Sequence, residues 1–255
     1  MTPLLTVIVP VFNECGTIDE ILTRVAAAEP LDKEVLIVDD GSEDGTSERL
    51  KEWEGREGVA VYRHESNQGK GTAIRTALAQ ARGKYVIIQD ADLEYDPNDY
   101  VELLRPLIEE TADVVFGSRA LGRREYEATD RRLLNPYRLG VAVLNVSVRL
   151  LYGRRITDEA TCYKMFKAQD LRAMDLQCER FEFCPEVTAK ALRMGLRIIE
   201  LPIRYSPRGK QAGKKIGLRD AFEAFRTLWK WRRWRPDESP ATLDLKTPPP
   251  QASQG

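Results

Sequence analysis

With 255 residues, 42% of them hydrophobic and 31% charged, the chain is long enough to bury one sizeable core and has the composition of an ordinary globular protein. A formal net charge of −1 excludes a molecule-wide electrostatic footprint for nucleic acid. The four cysteines (Cys15, Cys162, Cys178 and Cys184) form no CxxC pair and no metal-ligand spacing with His64, the single histidine, which indicates free thiols in a reducing compartment.

The first residues, Met1 to Glu14, lack a charged leader region and read as a first strand. Short Val- and Ile-rich runs at Leu4–Pro10, Val35–Asp39, Val59–Arg63, Tyr85–Gln89 and Val114–Gly117 alternate with helix-period segments at Thr17–Ala28, Thr46–Trp53, Lys70–Arg82 and Pro97–Glu110. That alternation predicts an α/β fold, a Rossmann-type mostly parallel sheet with helices on both faces. Polar residues gather just after the strands: Asn13 and Glu14, then Asp39 and Asp40, then Asp90 and Asp92. Ligands bind at the carboxyl ends of the strands in such sheets, so these residues are expected to share a cleft.

Beyond Arg119 the alternation lapses. A basic stretch, Leu121–Arg132, leads to an apolar helix near Leu133–Tyr152, a helix near Pro185–Met194, a strand at Arg197–Tyr205, a basic loop at Ser206–Ile216 and a last amphipathic helix over Gly217–Trp234. Residues 236–255, with Pro240 and Pro248–Pro250, form a tail expected to be disordered, leaving one domain over 1–235. No stretch reaches the roughly 20 apolar residues a bilayer span needs, so a cytoplasmic protein, soluble or peripheral on the membrane face, is expected. From Arg204 to Arg235, eleven Lys and Arg stand against Asp220 and Glu223, so something anionic is expected at that end.

Asp90, Asp92 and Glu94 place three carboxylates at alternate positions where a strand ends. Carboxylate oxygens are hard ligands suited to Mg²⁺ or Mn²⁺ bridging a diphosphate. The other reading is an acidic turn ahead of the helix that Asp96-Pro97 starts. Asp39-Asp40-Gly41-Ser42 and Asp44-Gly45-Thr46 are divided between a nucleoside contact and a helix cap. Asn67-Gln68-Gly69-Lys70-Gly71 opens a helix and can present amides and Lys70 to a phosphate, but GxxxxGK[ST] is absent, which excludes a P-loop nucleotidase. The missing GxGxxG after the first strand argues against a dinucleotide-dependent dehydrogenase. Arg119 faces the same cleft with a guanidinium suited to phosphate. The glycine-hinged loop from Arg208 to Lys215 is either a closure over a diphosphate or a solvated surface.

In this order the motifs resemble the family 2 glycosyltransferases of GT-A fold, in the branch of dolichyl- and undecaprenyl-phosphate sugar transferases. The matching residues are Pro10-Val11-Phe12-Asn13-Glu14, Asp39-Asp40-Gly41-Ser42, Asp44-Gly45-Thr46, Asn67-Gln68-Gly69-Lys70-Gly71, Asp90-Ala91-Asp92, Gly117-Ser118-Arg119, Glu200-Leu201-Pro202-Ile203 and the loop at Arg208. The resemblance implies that Pro10, Phe12, Glu14, Val38 and Asp40 line the nucleoside pocket of a GDP- or UDP-sugar donor. It further implies that Asp90, Ala91 and Asp92 meet the donor phosphates and a metal, with Asp92 and Glu94 as ligands, and that Arg119 and Arg208 hold phosphate. Glu94 stands where that branch often has glutamine, which keeps an oxygen ligand and adds a charge.

The implied reaction is an inverting displacement at the anomeric carbon with an oxocarbenium-like transition state. A polyprenyl phosphate acceptor needs no general base, and Arg119 with Arg131 and Arg132 would position it. A hydroxyl acceptor, saccharide or small molecule, would need a base. Asp158 is the best candidate, and Thr157-Asp158 could equally be a turn. A non-catalytic nucleotide-sugar-binding scaffold is the reading from another class. The last helix repeats Leu218, Phe222, Phe225 and Trp229 on one face beside Arg226, Lys230, Arg232, Arg233 and Arg235. That face is open to the membrane, to the core or to a second subunit in a homodimer, and so is the Leu133–Tyr152 helix.

Overall fold

The computed structural model describes residues 2–122, 136–207 and 218–236. Seven strands form one sheet: β1 (Leu5–Val11), β2 (Lys33–Asp39), β3 (Val59–Arg63), β4 (Tyr85–Ile88), β5 (Val114–Ser118), β6 (Lys164–Lys167) and β7 (Ile198–Pro202). Their order is β3-β2-β1-β4-β6-β5-β7. All pairings are parallel except those of β6, which runs antiparallel to both β4 and β5. The sheet order reverses direction at β1, with β2 on one side and β4 on the other. At this switch point two loops diverge at the strands' carboxyl ends and leave a crevice.

The described helices are α1 (Ile18–Ala27), α2 (Thr46–Leu50), α3 (Lys70–Gln80), α4 (Tyr100–Ile108), α5 (Pro136–Tyr152), α6 (Ala168–Ala173), α7 (Phe183–Arg193) and α8 (Leu218–Trp231). Strand periodicity sorts side chains between two cores. In β1, Ile8 packs toward α3 and α7, whereas Leu5, Val7, Val9 and Val11 pack toward α1 and α4. In β4, Val86 and Ile88 join the first core, and Tyr85 and Ile87 the second. Full burial of each such aliphatic side chain contributes about 1.5–3 kcal/mol. A continuous apolar run therefore fits a strand covered on both faces.

Several boundaries differ from expectation. The helix expected over Pro97–Glu110 begins as a 3₁₀ turn at Pro97–Asp99, where the Asp96 carboxylate accepts the Asn98 amide; the α-helix proper starts at Tyr100. The helix expected over Thr46–Trp53 ends at Leu50. The short β6 and α6 were not anticipated. Four residues of β6 carry too little periodicity to announce a strand, and its pairing with β4 and β5 is entirely long-range. Arg131 and Arg132, the Arg208 to Lys215 loop and the tail beyond Pro236 lie outside the described residues.

Candidate active site

The switch-point crevice is walled on one side by the loops after β1, β2 and β3. Asn13, held with φ of 55°, accepts the Glu43 amide on its side-chain oxygen at 2.9 Å, while its own amide donates to Ser42 Oγ at 3.0 Å. The Asp44 carboxylate accepts the amides of Cys15 and Thr46, each at 3.0 Å, so it staples the first loop to the start of α2. Gly41, at φ of 76°, brings the second loop against the third: a Cβ there would lie 2.7 Å from the Ser66 carbonyl carbon. The stapled loops enclose a cavity of about 290 Å³ lined by Phe12, Asp39, Ser42, Arg63, His64 and Asn67, among others.

Of the residues expected to line a nucleoside pocket, Phe12 lines this cavity and is 41% exposed. Pro10 and Val38 are register partners in adjacent strands, both buried, and are not among the residues lining the cavity. Glu14 is half-buried, accepting the Thr17 hydroxyl at 2.8 Å. Asp40 points inward and is 2% exposed. One of its oxygens meets His64 Nδ1 at 2.6 Å and the Gln68 amide at 2.9 Å; the other accepts the Gly69 amide at 2.7 Å. Asp39, one residue earlier, lines the cavity, as do Glu43 and Glu65.

The Gly-rich start of α3 also has a different task from the one expected. Four of its amides are taken within the protein. Those of Gln68 and Gly69 are taken by Asp40, and those of Gly71 and Thr72 by the carbonyls of Arg180 and Glu179 at 2.9 and 3.0 Å. A Cβ on Gly69 would come within 2.4 Å of the Glu179 carbonyl oxygen, and one on Gly71 within 2.7 Å of the Cys178 carbonyl carbon. The glycines let α3 approach the segment ahead of α7, and the approach delivers the Lys70 side chain to the crevice.

There Lys70 Nζ meets Asp90 Oδ1 at 2.5 Å and donates to Cys162 Sγ at 3.1 Å. Burial opposes the ammonium charge, but Asp90 and the neighbouring sulfurs outweigh it and hold the Lys70 pKa well above its ordinary value. Ala91 is buried beneath, and Asp92 Oδ1 accepts the Glu94 amide at 3.1 Å. Glu94 turns its carboxylate to the Tyr205 hydroxyl, 2.6 Å away. Asp90, Asp92 and Glu94 thus share one turn, with Asp90 paired to Lys70 and Glu94 to Tyr205. Among the described residues no three acidic, His or Cys side chains are grouped to hold an ion. The oxygen chemistry of Asp90 and Asp92 nevertheless fits a hard divalent cation.

The far wall is Arg119, at the end of β5. Its Nε and terminal nitrogen donate to the two oxygens of Asp158 at 2.7 and 2.8 Å, and its amide adds a third bond at 2.9 Å. Asp158 is 2% exposed. Glu200, on β7, accepts the amides of Thr157 and Asp158 and fixes their turn. Tyr95 stacks on Tyr163 at 4.9 Å, and the Tyr205 ring lies 5.2 Å from the Arg119 guanidinium. Tyr95, Tyr205 and Cys162 escaped sequence reasoning; Tyr95 directly follows the acidic run and was the one within reach of it.

A family model for glycosyl transferase family 2 matches residues 6–174. The chain belongs to glycosyltransferase family 2. An uncharacterized protein of Methanocaldococcus jannaschii is 32% identical over 203 residues, covering 78% of this chain and 79% of that one. An undecaprenyl-phosphate mannosyltransferase of Micrococcus luteus is 29% identical over 243 residues, covering 89% and 94%. Glucosyl-3-phosphoglycerate synthase of Mycobacterium tuberculosis, solved with Mn²⁺ and uridine diphosphate, superposes with a TM-score of 0.62 at 21% identity, over 92% of this chain and 82% of that one. The last likeness concerns the fold and marks the sheet as GT-A-like. As a family 2 glycosyltransferase the protein is an enzyme that moves a sugar.

Proposed function

We propose that this glycosyltransferase moves a hexose (mannose or glucose) or an N-acetylhexosamine from a GDP- or UDP-sugar to a polyprenyl phosphate, with inversion. The observation that carries the reading is the juxtaposition, at the β1/β4 switch point, of a nucleoside-sized cavity with the Lys70–Asp90 pair and Asp92. Phe12 and the Asp39 side of the cavity receive the base and ribose. Lys70 meets the donor diphosphate. Asp90 and Asp92 would hold Mg²⁺ or Mn²⁺, an ion that would supply positive charge beside the departing nucleoside diphosphate. The ion's identity and the donor base rest on the likeness to relatives such as the uridine diphosphate and Mn²⁺ complex.

Two observations favour a phosphate over a hydroxyl acceptor. Asp158, the candidate base, is buried with both oxygens held by Arg119, a poor arrangement for collecting a proton. A phosphate is already an anionic nucleophile. The relative of Micrococcus luteus is named for undecaprenyl phosphate and matches nearly its whole length. Arg119, with Arg131, Arg132 and Arg208, is assigned to the phosphates of donor and acceptor.

A lipid acceptor also accounts for α5 and α8. No described helix is long and apolar enough to cross a membrane. The two helices pack on each other and on α7, with Leu144 and Val148 of α5 and Leu228 and Trp231 of α8 turned to the core. That leaves Leu139, Val143, Val146 and Leu150 exposed on α5, and Phe222, Phe225 and Trp229 exposed on α8. Three residues of the stripe expected on the last helix, Phe222, Phe225 and Trp229, thus face outward. Bordered by Arg226, Lys230, Arg232, Arg233 and Arg235, it suits the interface of an anionic leaflet. We assign the protein to the cytosolic membrane face as a peripheral protein, with residues 1–235 as its catalytic domain and 236–255 as a tail.

The deciding experiment incubates the full chain with labelled GDP- and UDP-sugars, Mn²⁺ and a polyprenyl phosphate. Label is expected in the organic phase, and Asp92→Ala is expected to abolish its appearance while folding is kept. A water-soluble product, or transfer unchanged in Asp92→Ala, overturns the reading.

A further inference from the structure

Behind the Lys70–Asp90 pair lie two thiols that the transfer reaction does not use. Cys162 sits in the loop leading into β6, half-buried at the crevice; Cys184 occupies the first turn of α7 and is 7% exposed. They are 22 residues apart in sequence, yet Cys184 Sγ lies 3.6 Å from Cys162 Sγ, and Cys184 also donates to the Thr161 carbonyl at 3.3 Å. Both sulfurs are thus in contact. A disulfide needs a separation of about 2.05 Å, a closure of roughly 1.5 Å that side-chain rotation and a small shift of the Cys162 loop can supply.

We propose that Cys162 and Cys184 are a reversible oxidation site that closes to a disulfide and loosens the hold on Lys70. Cys162 is half-buried at the crevice and Cys184 is buried behind it, so Cys162 is the sulfur of the pair nearer an incoming small-molecule disulfide. Its thiolate attacks one sulfur of that molecule, the S–S bond breaks, and one thiolate leaves with the proton Cys162 gave up. Cys184, as thiolate, then attacks Cys162 Sγ and expels the second small thiolate, which takes the proton from Cys184. Two protein thiols are oxidised and one small disulfide is reduced to two thiols.

The consequence follows from the partners of Cys162. Lys70 Nζ is bound by Asp90 and by Cys162 Sγ. Drawing that sulfur toward α7 removes one of these two partners. It also ties the Cys162 loop, whose amide donates to the Tyr95 hydroxyl at 3.3 Å, to a helix it otherwise only touches. Lys70 then no longer rests where the diphosphate is to be met. This effect on binding depends on the donor site proposed above; formation of the bond does not.

The test treats the reduced full chain with oxidised glutathione, blocks remaining thiols and maps the peptides by mass. Joined peptides carrying Cys162 and Cys184, lighter by two hydrogens and restored by a dithiol, are expected. In Cys184→Ser, a glutathione adduct should remain on Cys162; should that variant fail to fold, Cys162→Ser must leave Cys184 unbridged. Nucleotide binding with Mn²⁺, followed by calorimetry, should weaken by about tenfold on oxidation of the parent, the scale of one charge-assisted hydrogen bond. Reduced Cys184→Ser should bind as the reduced parent does. Glutathione reacting at Cys15 while the pair stays reduced, or a bridge to Cys178, overturns the site. A bridge that leaves nucleotide binding unchanged overturns its effect on Lys70. Mass mapping involves neither donor nor acceptor, so its failure is distinct from failure of the transferase reading.

Discussion

Lys70 Nζ lies 2.5 Å from Asp90 Oδ1 across the mouth of the crevice, although 20 residues and one complete helix separate them. Both side chains are largely shielded, at 17% and 16% exposure. The pair sets a cation beside the acidic turn before any ligand arrives. Lys70→Met removes the cation and leaves Asp90 unpaired. We expect kcat/KM for the donor to fall on the order of a hundredfold, near the upper end of what a hydrogen bond to a charged group contributes. Lys70→Arg, longer and forked, should recover only part of it. Steady-state kinetics against donor concentration decides, and a Lys70→Met enzyme within threefold of the parent would remove the phosphate role of Lys70.

Arg119 and Asp158 form the other shielded pair, at 12% and 3% exposure. Asp158→Asn keeps the shape and deletes the charge, removing the anion that accepts from Nε, the terminal nitrogen and the amide of Arg119. Breaking such a pair costs about 3 kcal/mol or more, a drop of several degrees in melting temperature for a domain of this size. The pH–rate profile of the residual activity should keep its acidic limb, because a phosphate acceptor requires no base. Disappearance of that limb in Asp158→Asn would make Asp158 the base and return the acceptor to a hydroxyl.

Glu159 has both carboxylate oxygens buried without a hydrogen-bond partner among the described residues. Burial raises its pKa to about 7, although Lys164 pulls the other way. For an acid whose folded pKa lies above its unfolded one, the folded state binds the extra proton. That stability is complete below the ordinary carboxylate range and is lost as pH rises toward 7. The window corresponds to about 3 kcal/mol. Glu159→Gln, neutral throughout, should therefore raise the melting temperature at pH 8 and change it little at pH 5. Equal effects at both pH values would mean that Glu159 is not carrying a proton.

Phe222 and Trp229 are 65% and 48% exposed on α8, so the double change Phe222→Glu/Trp229→Glu should leave the melting temperature almost unmoved. It should lower sedimentation with vesicles containing anionic phospholipid by at least about tenfold, the loss of two interfacial aromatics. The parent should bind neutral vesicles more weakly, and salt should release it from anionic ones. A parent that ignores vesicles and sediments at twice its mass would make these stripes an interface between copies.

Much of the architecture was legible because parallel, doubly covered strands carry a strong local signature. The strands Leu5–Val11 and Val114–Ser118 are buried along their whole length and mostly apolar, and the helix periods between them are clear. The position of the acidic turn followed from where β4 had to end. What failed was local in appearance and tertiary in cause. Asp39 and Asp40 are adjacent acids, and nothing in their identity tells which faces the cavity. Both are buried, but they are held by different partners: Asp39 by the Ser42 amide and the Ser47 hydroxyl, Asp40 by His64 and the Gln68 and Gly69 amides. The glycines around Lys70 resemble a phosphate loop, but their amides serve the packing of α3.

The order of amino acids thus determined the α/β class, the family and the chemistry gathered at the strand ends, because periodicity and residue type are properties of short segments. Folding alone decided which acids are paired and with whom: Lys70 with Asp90, Arg119 with Asp158, Tyr205 with Glu94. It also decided that Cys162 meets Cys184 and that the aromatic stripe of α8 faces outward. Each of these depends on where distant segments come to rest against one sheet, and an electrostatic or sulfur contact acts only over the few ångströms that such packing fixes.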